Sequence, residues 1–232
     1  MIKLKNLCFR YDEEFILKDI NLEIKEGSFT AIIGANGSGK TTLAKHLNAL
    51  LLPTKGSVIV DGLDTKQNEF EVRRKVGFVF QNFEDQIINS IVEEDVAFGL
   101  ENLELSIDKV NKTVKETLEK MGIVNLAKNN VNMLSSGQKQ LVALAGILAM
   151  KPKYIVFDEP TTMLDSRNKK NIMKTIKELN KIGKITIIMI TNALEDLKYA
   201  DYAIALRNGS VVFSCRKSEL NKKLLSEAGL DA

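Results

Sequence analysis

The stretch Gly34-Ala35-Asn36-Gly37-Ser38-Gly39-Lys40-Thr41-Thr42 joins glycines, a lysine and adjacent hydroxyls in an order suited to holding phosphate. Glycines let the backbone curl until successive N–H groups converge on one anion. Lys40 adds a full positive charge where the β- and γ-phosphates of a nucleoside triphosphate would lie, and Thr41 offers a hydroxyl to Mg²⁺. A plain glycine-rich turn does not require Lys-Thr at a helix start, so the stretch is read as a nucleotide site that includes Asn36, Ser38 and Thr42. A second feature, Ile155-Val156-Phe157-Asp158-Glu159, is an apolar run closed by two carboxylates. Asp158 suits Mg²⁺, directly or through water. Glu159 suits polarising an attacking water, the general-base task of phosphoryl transfer to water. Taken alone, the pair could equally cap the next helix.

These residues need a scaffold, and the patterning supplies one. Met1–Arg10, Asn21–Ile24, Phe29–Ile33, Ser57–Val60 and Val76–Phe80 read as strands, with turns at Glu26-Gly27 and Asp61-Gly62. Thr42–Leu51 reads as the helix that follows the phosphate loop. From Val92 to Leu126 the chain looks helical, with Val110, Val114, Leu118 and Met121 at helical spacing. Tyr154–Phe157 and Ile185–Ile190 are continuously apolar, as strands buried on both faces of a parallel sheet are. The expected class is α/β: antiparallel strands, a phosphate loop, a helical insert, then βαβ units. Residues 1–232 are taken as one domain, with a helical subdomain inserted at about 84–150 and a short helical tail at 216–232.

Composition sets looser bounds. The chain has 232 residues, 44% hydrophobic and 27% charged, ordinary for a globular protein with a substantial core. A net charge of +3 gives no argument for nucleic acid as a partner. No apolar run approaches the roughly 20 residues that span a bilayer, and no signal-peptide pattern opens the sequence, so a membrane role would come through a partner chain. Cys8 and Cys215 lack ligand spacing and read as reduced thiols. His46, the only histidine, reads as a packed helix residue rather than a metal ligand.

Leu134-Ser135-Ser136-Gly137-Gln138, lying between the phosphate loop and the acidic strand, resembles the signature of ATP-binding cassette (ABC) ATPases, usually Leu-Ser-Gly-Gly-Gln. The resemblance runs over about residues 1–215 and implies an ABC-type fold, with ATP and Mg²⁺ as ligands. It assigns Tyr11 to stacking on adenine, Gln81 to Mg²⁺ and to sensing a transport subunit, and Thr162-Met163-Leu164-Asp165 to a loop crossing a dimer interface. In that family two cassettes pair head to tail, and the signature of one, here Ser135, Ser136, Gly137 and Gln138, closes over the ATP of the other. Taken singly, Tyr11 reads as a strand-edge aromatic, Gln81 as a polar loop residue and Asp165 as a helix cap.

A finer similarity lies in Gln81-Asn82-Phe83-Glu84-Asp85-Gln86, in Ser90–Asn102, which includes Asp95, in Gly137–Gln140 with Ala145–Met150, and in Met163–Asp165. These strings look like the ATPases of energy-coupling factor (ECF) importers of vitamins or of cobalt or nickel ions. The resemblance implies a second ABC ATPase as partner, in a homodimer or, more in keeping with this sequence, a heterodimer. It also implies a transmembrane coupling subunit, a substrate-binding membrane subunit, and a peripheral place on the cytoplasmic face of the membrane. A regulatory or non-transport ABC ATPase acting as an ATP-dependent switch is the alternative. The interval from Thr41 to Leu134 leaves no room for the long coiled coil of DNA-maintenance ATPases, and the one signature read here is unlike the double cassette usual in translation ATPases.

The sequence departs from the family pattern in three places. Where the family has a Thr-His switch pair, this chain has Thr191-Asn192. Asn donates a hydrogen bond but carries no proton or positive charge, so ATP binding with weakened hydrolysis at this chain's own site is expected. A second reading makes Asn192 the N-cap of the following helix, with Glu195 closing a capping box. Ser136 stands for a signature glycine, and either crowds or extends the clamp on a partner's nucleotide. Finally, ECF ATPases commonly continue further at the C-terminus, where one short helix at about Lys217–Leu225 is expected here.

Overall fold

A computed structural model describes residues 1–162 and 164–230. Met163, part of the proposed interface loop, and Asp231 and Ala232, the end of the expected tail, lie outside the described residues. Ten strands and seven α-helices are assigned among the described residues. In chain order they are β1 (Ile2–Arg10), β2 (Phe15–Ile24), β3 (Phe29–Ile33), α1 (Lys40–Leu47), β4 (Lys55–Val60), β5 (Leu63–Asp64), α2 (Glu69–Lys75) and β6 (Val76–Val79). Then follow α3 (Val92–Glu101), α4 (Ile107–Lys120), α5 (Ser136–Ala149), β7 (Tyr154–Asp158), α6 (Ser166–Lys181), β8 (Thr186–Ile190), β9 (Tyr202–Arg207), β10 (Ser210–Arg216) and α7 (Lys222–Glu227).

Two sheets form. The smaller has the order β2-β1-β4-β5 and is antiparallel throughout. The larger has the order β10-β9-β3-β8-β7-β6, parallel from β9 to β6 with β10 antiparallel at one edge. Its central strands bury both faces, which is why they read as continuous apolar runs. Ile32, Val156, Ile188 and Ile190 face the small sheet and Leu43 and Leu47 of α1. Their neighbours Ala31, Ile33, Ile155, Phe157, Ile187 and Met189 face Ile172, Met173 and Ile176 of α6 and Leu144 of α5. One-residue alternation thus splits each strand between two cores. A third core joins α3, α4 and α5, with Val110, Val114 and Leu118 buried at the expected spacing.

Several expected elements differ in extent. The helical stretch expected over 92–126 is two helices and a 3₁₀ turn at Val124–Leu126. Glu104 interrupts it with φ 54° and Gly122 with φ 69°, left-handed values that no helix continues through. The helix after the phosphate loop ends at Leu47 rather than Leu51, because Ala49 turns left-handed at φ 59°. The tail expected as one helix is a 3₁₀ turn at Lys217–Glu219 followed by α7, which Asn221 caps through its side chain. β2 begins at Phe15 rather than Asn21; register shifts in its pairing with β1 blur the alternation there. Strands β9 and β10 have no counterpart in the sequence reading. Cys8 and Cys215 are both free and half-buried.

Candidate functional site

Parallel packing brings four strand ends to one rim. β3 runs into Gly34, β6 into Phe80-Gln81, β7 ends at Asp158, and β8 ends beside Thr191-Asn192. Register aligns them: Asp158 pairs with Ile190, Val79 with Phe157, and Ile32 with Ile190. Residues far apart in sequence therefore meet at the carboxyl edge, where ligands of open α/β sheets bind.

The phosphate loop is shaped by close contacts. At Gly34, φ is 153°, and an added Cβ would stand 2.3 Å from the Leu206 carbonyl oxygen, so only glycine passes. Gly39 precedes α1 in a left-handed conformation at φ 99° with no side-chain cap. Among the described residues no acceptor takes the amide hydrogens of Gly39, Lys40 or Thr41, which leaves donors free at a helix N-terminus, as anion sites require. Ser38 Oγ is likewise buried with no partner among the described residues. Lys40 Nζ, itself buried, donates to the carbonyls of Gly34 at 2.9 Å and Ala35 at 3.0 Å. Burial lowers its pKa, opposed by the charges of Glu159 and Asp158. A partly desolvated ammonium held on two neutral carbonyls is poised to exchange them for phosphate oxygens.

Thr41 Oγ1 donates to Asp158 Oδ1 at 3.0 Å, so hydroxyl and carboxylate already share one point. Burial raises the Asp158 pKa, the Thr41 bond opposes it, and the neighbouring Glu159 adds to it. These are hard oxygen donors, and among the described residues no cluster of three His, Cys, Asp or Glu forms a metal cage. One carboxylate and one hydroxyl fit Mg²⁺, which is held by one or two protein oxygens together with substrate phosphates.

Glu159 is the focus of the rim. It has φ 48°, uncommon for a residue with a Cβ, and its N–H is fixed to the Ile190 carbonyl at 3.0 Å. Three side chains donate to its carboxylate: Asn192 Nδ2 to Oε1 at 2.6 Å, Thr162 Oγ1 to Oε2 at 3.1 Å, and Gln81 Nε2 to Oε2 at 3.3 Å. Asn192 Nδ2 also meets Asn36 Oδ1 of the phosphate loop at 2.9 Å. The capping reading of Asn192 is not what forms. The following 3₁₀ turn starts at Leu194 without a side-chain cap, Thr191 Oγ1 accepts from Ala193 N, and Glu195 pairs with Lys169.

The other assigned residues stand apart. Tyr11 is 58% exposed, its ring edge-on to Phe9 with centroids 4.8 Å apart, and Phe9 packs on His46. His46 is buried in α1, bonded through Nδ1 to the Thr42 carbonyl, and burial lowers its pKa. Ser135 caps α5 in a closed capping box with Gln138, and Ser136 begins the helix with no positive φ. Ser136 is exposed, so serine costs this backbone nothing and projects outward. Gly137 is backed by Asn168, whose Oδ1 would lie 3.0 Å from an added Cβ. Asp165 caps α6, accepting from the amides of Arg167 and Asn168, both at 2.9 Å. The helix-cap reading of Asp165 is thus the one seen within this chain.

Sequence reasoning missed several supports. Gln140 Nε2 reaches from α5 to the buried Pro160 carbonyl at 2.7 Å. Asp95 Oδ1 accepts from Ile88 N at 2.7 Å and Asn89 N at 3.0 Å, fixing the loop after Gln81. Asp196 gathers Thr161 and Thr191. Asp95 and Gln140 fall within the strings of the finer resemblance, but their contacts, like those of Asp196, are defined only by the chain each meets.

This fold and rim define a P-loop nucleoside triphosphatase. A model of the ABC transporter family matches residues 17–162. The chain is 45% identical over 239 residues to the energy-coupling factor transporter ATP-binding protein EcfA1 of Clostridioides difficile, covering all of this chain and 86% of that one. Its fold is similar to that of cbiO1 from Clostridium perfringens, part of the ABC transporter complex cbiONQ, with a TM-score of 0.86, 35% identity, and 94% and 89% of the two chains covered. It is also similar to the ATP-binding cassette MJ0796, solved as a dimer in a post-hydrolysis state with ADP and Pi, at a TM-score of 0.82, 34% identity, and 94% and 99% coverage. The chain belongs to the ABC transporter family and is an ABC-type ATPase. Among its described residues no helix is long and apolar enough to cross a membrane.

Proposed function

We propose that this chain is an ATP-binding subunit that energises an ECF-type importer of vitamins or transition-metal ions from the cytoplasmic face of the membrane. The observation that carries the catalytic part is the ring of donors on Glu159, facing the phosphate loop from three strand ends. Lys40 and the free amides of the loop bind the β- and γ-phosphates, while Tyr11 offers its exposed ring to adenine. Mg²⁺, when bound, neutralises charge on the β–γ oxygens, and Thr41, Asp158 and Gln81 are the residues to hold it. Glu159 takes the proton of the attacking water; Gln81, Thr162 and Asn192 orient its carboxylate.

Asn192 holds Glu159 in place without supplying charge, so own-site hydrolysis is slow. Ser135, Ser136, Gly137 and Gln138 serve the nucleotide of a partner cassette, and a heterodimer with a faster partner fits this division. Residues 84–150 act as a helical unit within one cassette, and Asp165 lies at its dimer-facing loop. Beside Gln81 a cavity of about 300 Å³, lined by Phe78, Phe80, Gln86, Ile88 and Phe98, offers an apolar surface for a helix of a membrane subunit. An ATP-operated regulatory switch outside transport is the second reading, favoured by the uncharged partner of Glu159.

Light scattering on Glu159→Gln tests the scheme. With ATP the variant, alone or with its partner cassette, should form a stable dimer, and with ADP it should not. No association under either condition contradicts the shared-site reading. Pull-down of a membrane subunit that Phe98→Asp abolishes supports the transporter over the switch.

A further inference from the structure

Asp196 is a charged group that the scheme above leaves without a task. It lies in the 3₁₀ turn Leu194–Tyr199 and is 1% exposed. Its Oδ2 accepts from Thr191 Oγ1 at 2.8 Å and from Thr161 Oγ1 at 3.5 Å. Thr191 immediately precedes Asn192, and Thr161 follows Glu159 by two positions. Lys169 of α6 stands 3.5 Å from Oδ1 as the counter-charge, without hydrogen-bond geometry. Thr191 Oγ1 already accepts from Ala193 N at 3.0 Å, so its single proton is committed to Asp196.

Burying a carboxylate is expensive unless specific bonds offset it. Here the bonds come from two different loops, each carrying one partner of the Asn192–Glu159 contact. That contact spans 2.6 Å, and a misplacement of about 1 Å at a reacting centre can cost about 10²-fold in rate. The 2.8 Å bond from Thr191 is of the strong, charge-assisted kind, and the 3.5 Å bond from Thr161 is the looser of the two.

We propose that Asp196 is a positioning residue that sets the separation of Glu159 and Asn192 by gathering Thr161 and Thr191 on one carboxylate oxygen. It governs water activation and does not touch nucleotide. This rests on the reading of Glu159 as general base.

Single-turnover ATP hydrolysis, with protein in excess of ATP, tests it on Asp196→Asn, Thr191→Val, Thr191→Ser and the Asp196→Asn/Thr191→Val double variant. Titration with a fluorescent ATP analogue reports affinity separately. Thr191→Val and Asp196→Asn should each slow hydrolysis about ten- to a hundredfold while nucleotide Kd stays within about twofold. Thr191→Ser, which keeps the hydroxyl, should match the wild type. The double variant should be no slower than the slower single one, because both break one link.

An unchanged rate in Thr191→Val, or a Thr191→Ser rate as low as that of Thr191→Val, overturns the proposal. So does a parallel loss of affinity and rate. Glu159→Gln in the same assay separates the two readings. If it hydrolyses at the wild-type rate, the base assignment fails; if it is inactive while Thr191→Val is unaffected, only the positioning role fails. Hydrogen exchange gives an arm independent of turnover. Thr191→Val should speed exchange at Thr162 and Ala193 and leave α1 unchanged, and unaltered exchange at both sites counts against the link.

Discussion

The nucleotide rim and the signature edge are built by opposite logic. At the rim, groups from α1 and the strand ends satisfy one another: Lys40 on the carbonyls of Gly34 and Ala35, Thr41 on Asp158, and Gln81, Thr162 and Asn192 on Glu159. At the signature, the side chains of Ser135 and Gln138 bond, among the described residues, only to each other's backbone, and Ser135 and Ser136 lie exposed. The first region is preorganised by long-range topology, and the second is a local helix start closed by its own capping box. On the proposed scheme each half is completed by the counterpart that another cassette brings, which would couple binding energy to assembly.

Disrupting the rim should have the largest effect. Glu159→Gln should lower hydrolysis about 10²–10⁴-fold, the usual worth of a positioned base, with ATP affinity retained in a nucleotide titration. Similar losses of rate and affinity would assign Glu159 to binding instead. At the signature edge, Ser135→Ala should destabilise α5 by about 0.5–2 kcal/mol through loss of the cap, read by chemical denaturation. Its catalytic effect should fall on the partner's nucleotide, so a mixed dimer carrying it on one chain should lose the opposite site. Loss at its own site would erase the contrast between the regions.

The smallest effect is one of sign. The Asp158 carboxyl is raised above its ordinary range by burial, then by Glu159 against the Thr41 bond. A raised carboxyl contributes stability below its unfolded pKa, about 3.9, and loses it as pH rises through the folded value. Above that value the ionised group is a cost that Mg²⁺ relieves. Asp158→Asn should therefore raise the melting temperature of the metal-free protein at neutral pH while weakening Mg²⁺-dependent ATP binding. In the wild type, that binding should begin to fail on acidification at a pH above an ordinary aspartate's range. A lower melting temperature for Asp158→Asn would mean that the Thr41 bond outweighs burial.

Much of this contrast was legible in the sequence. Continuous apolar runs marked β3, β7 and β8 because both their faces are covered, and glycines with Lys-Thr marked the phosphate loop. The Val110–Val114–Leu118 stripe marked α4, but the left-handed residues Glu104 and Gly122 that divide the helices left no apolar pattern to detect. β9 and β10 were lost because short runs around Gly209 look like a loop until β3 pairs with β9. Asp196 was invisible for a related reason: one acid in a charged turn becomes informative only when Thr161 and Thr191 converge on it. Asn192 was legible as a departure, but its direction toward Glu159 rather than toward a helix end depended on the register of β7 and β8.

The central claim is that Asn192 holds the base without assisting it. Steady-state ATPase activity of the purified chain beside Asn192→His tests this most directly. The account predicts a rise of about 10²-fold, the low end of what a positioned proton carrier supplies. Brisk turnover in the wild type, unchanged by Asn192→His, would contradict it and leave Glu159 sufficient on its own.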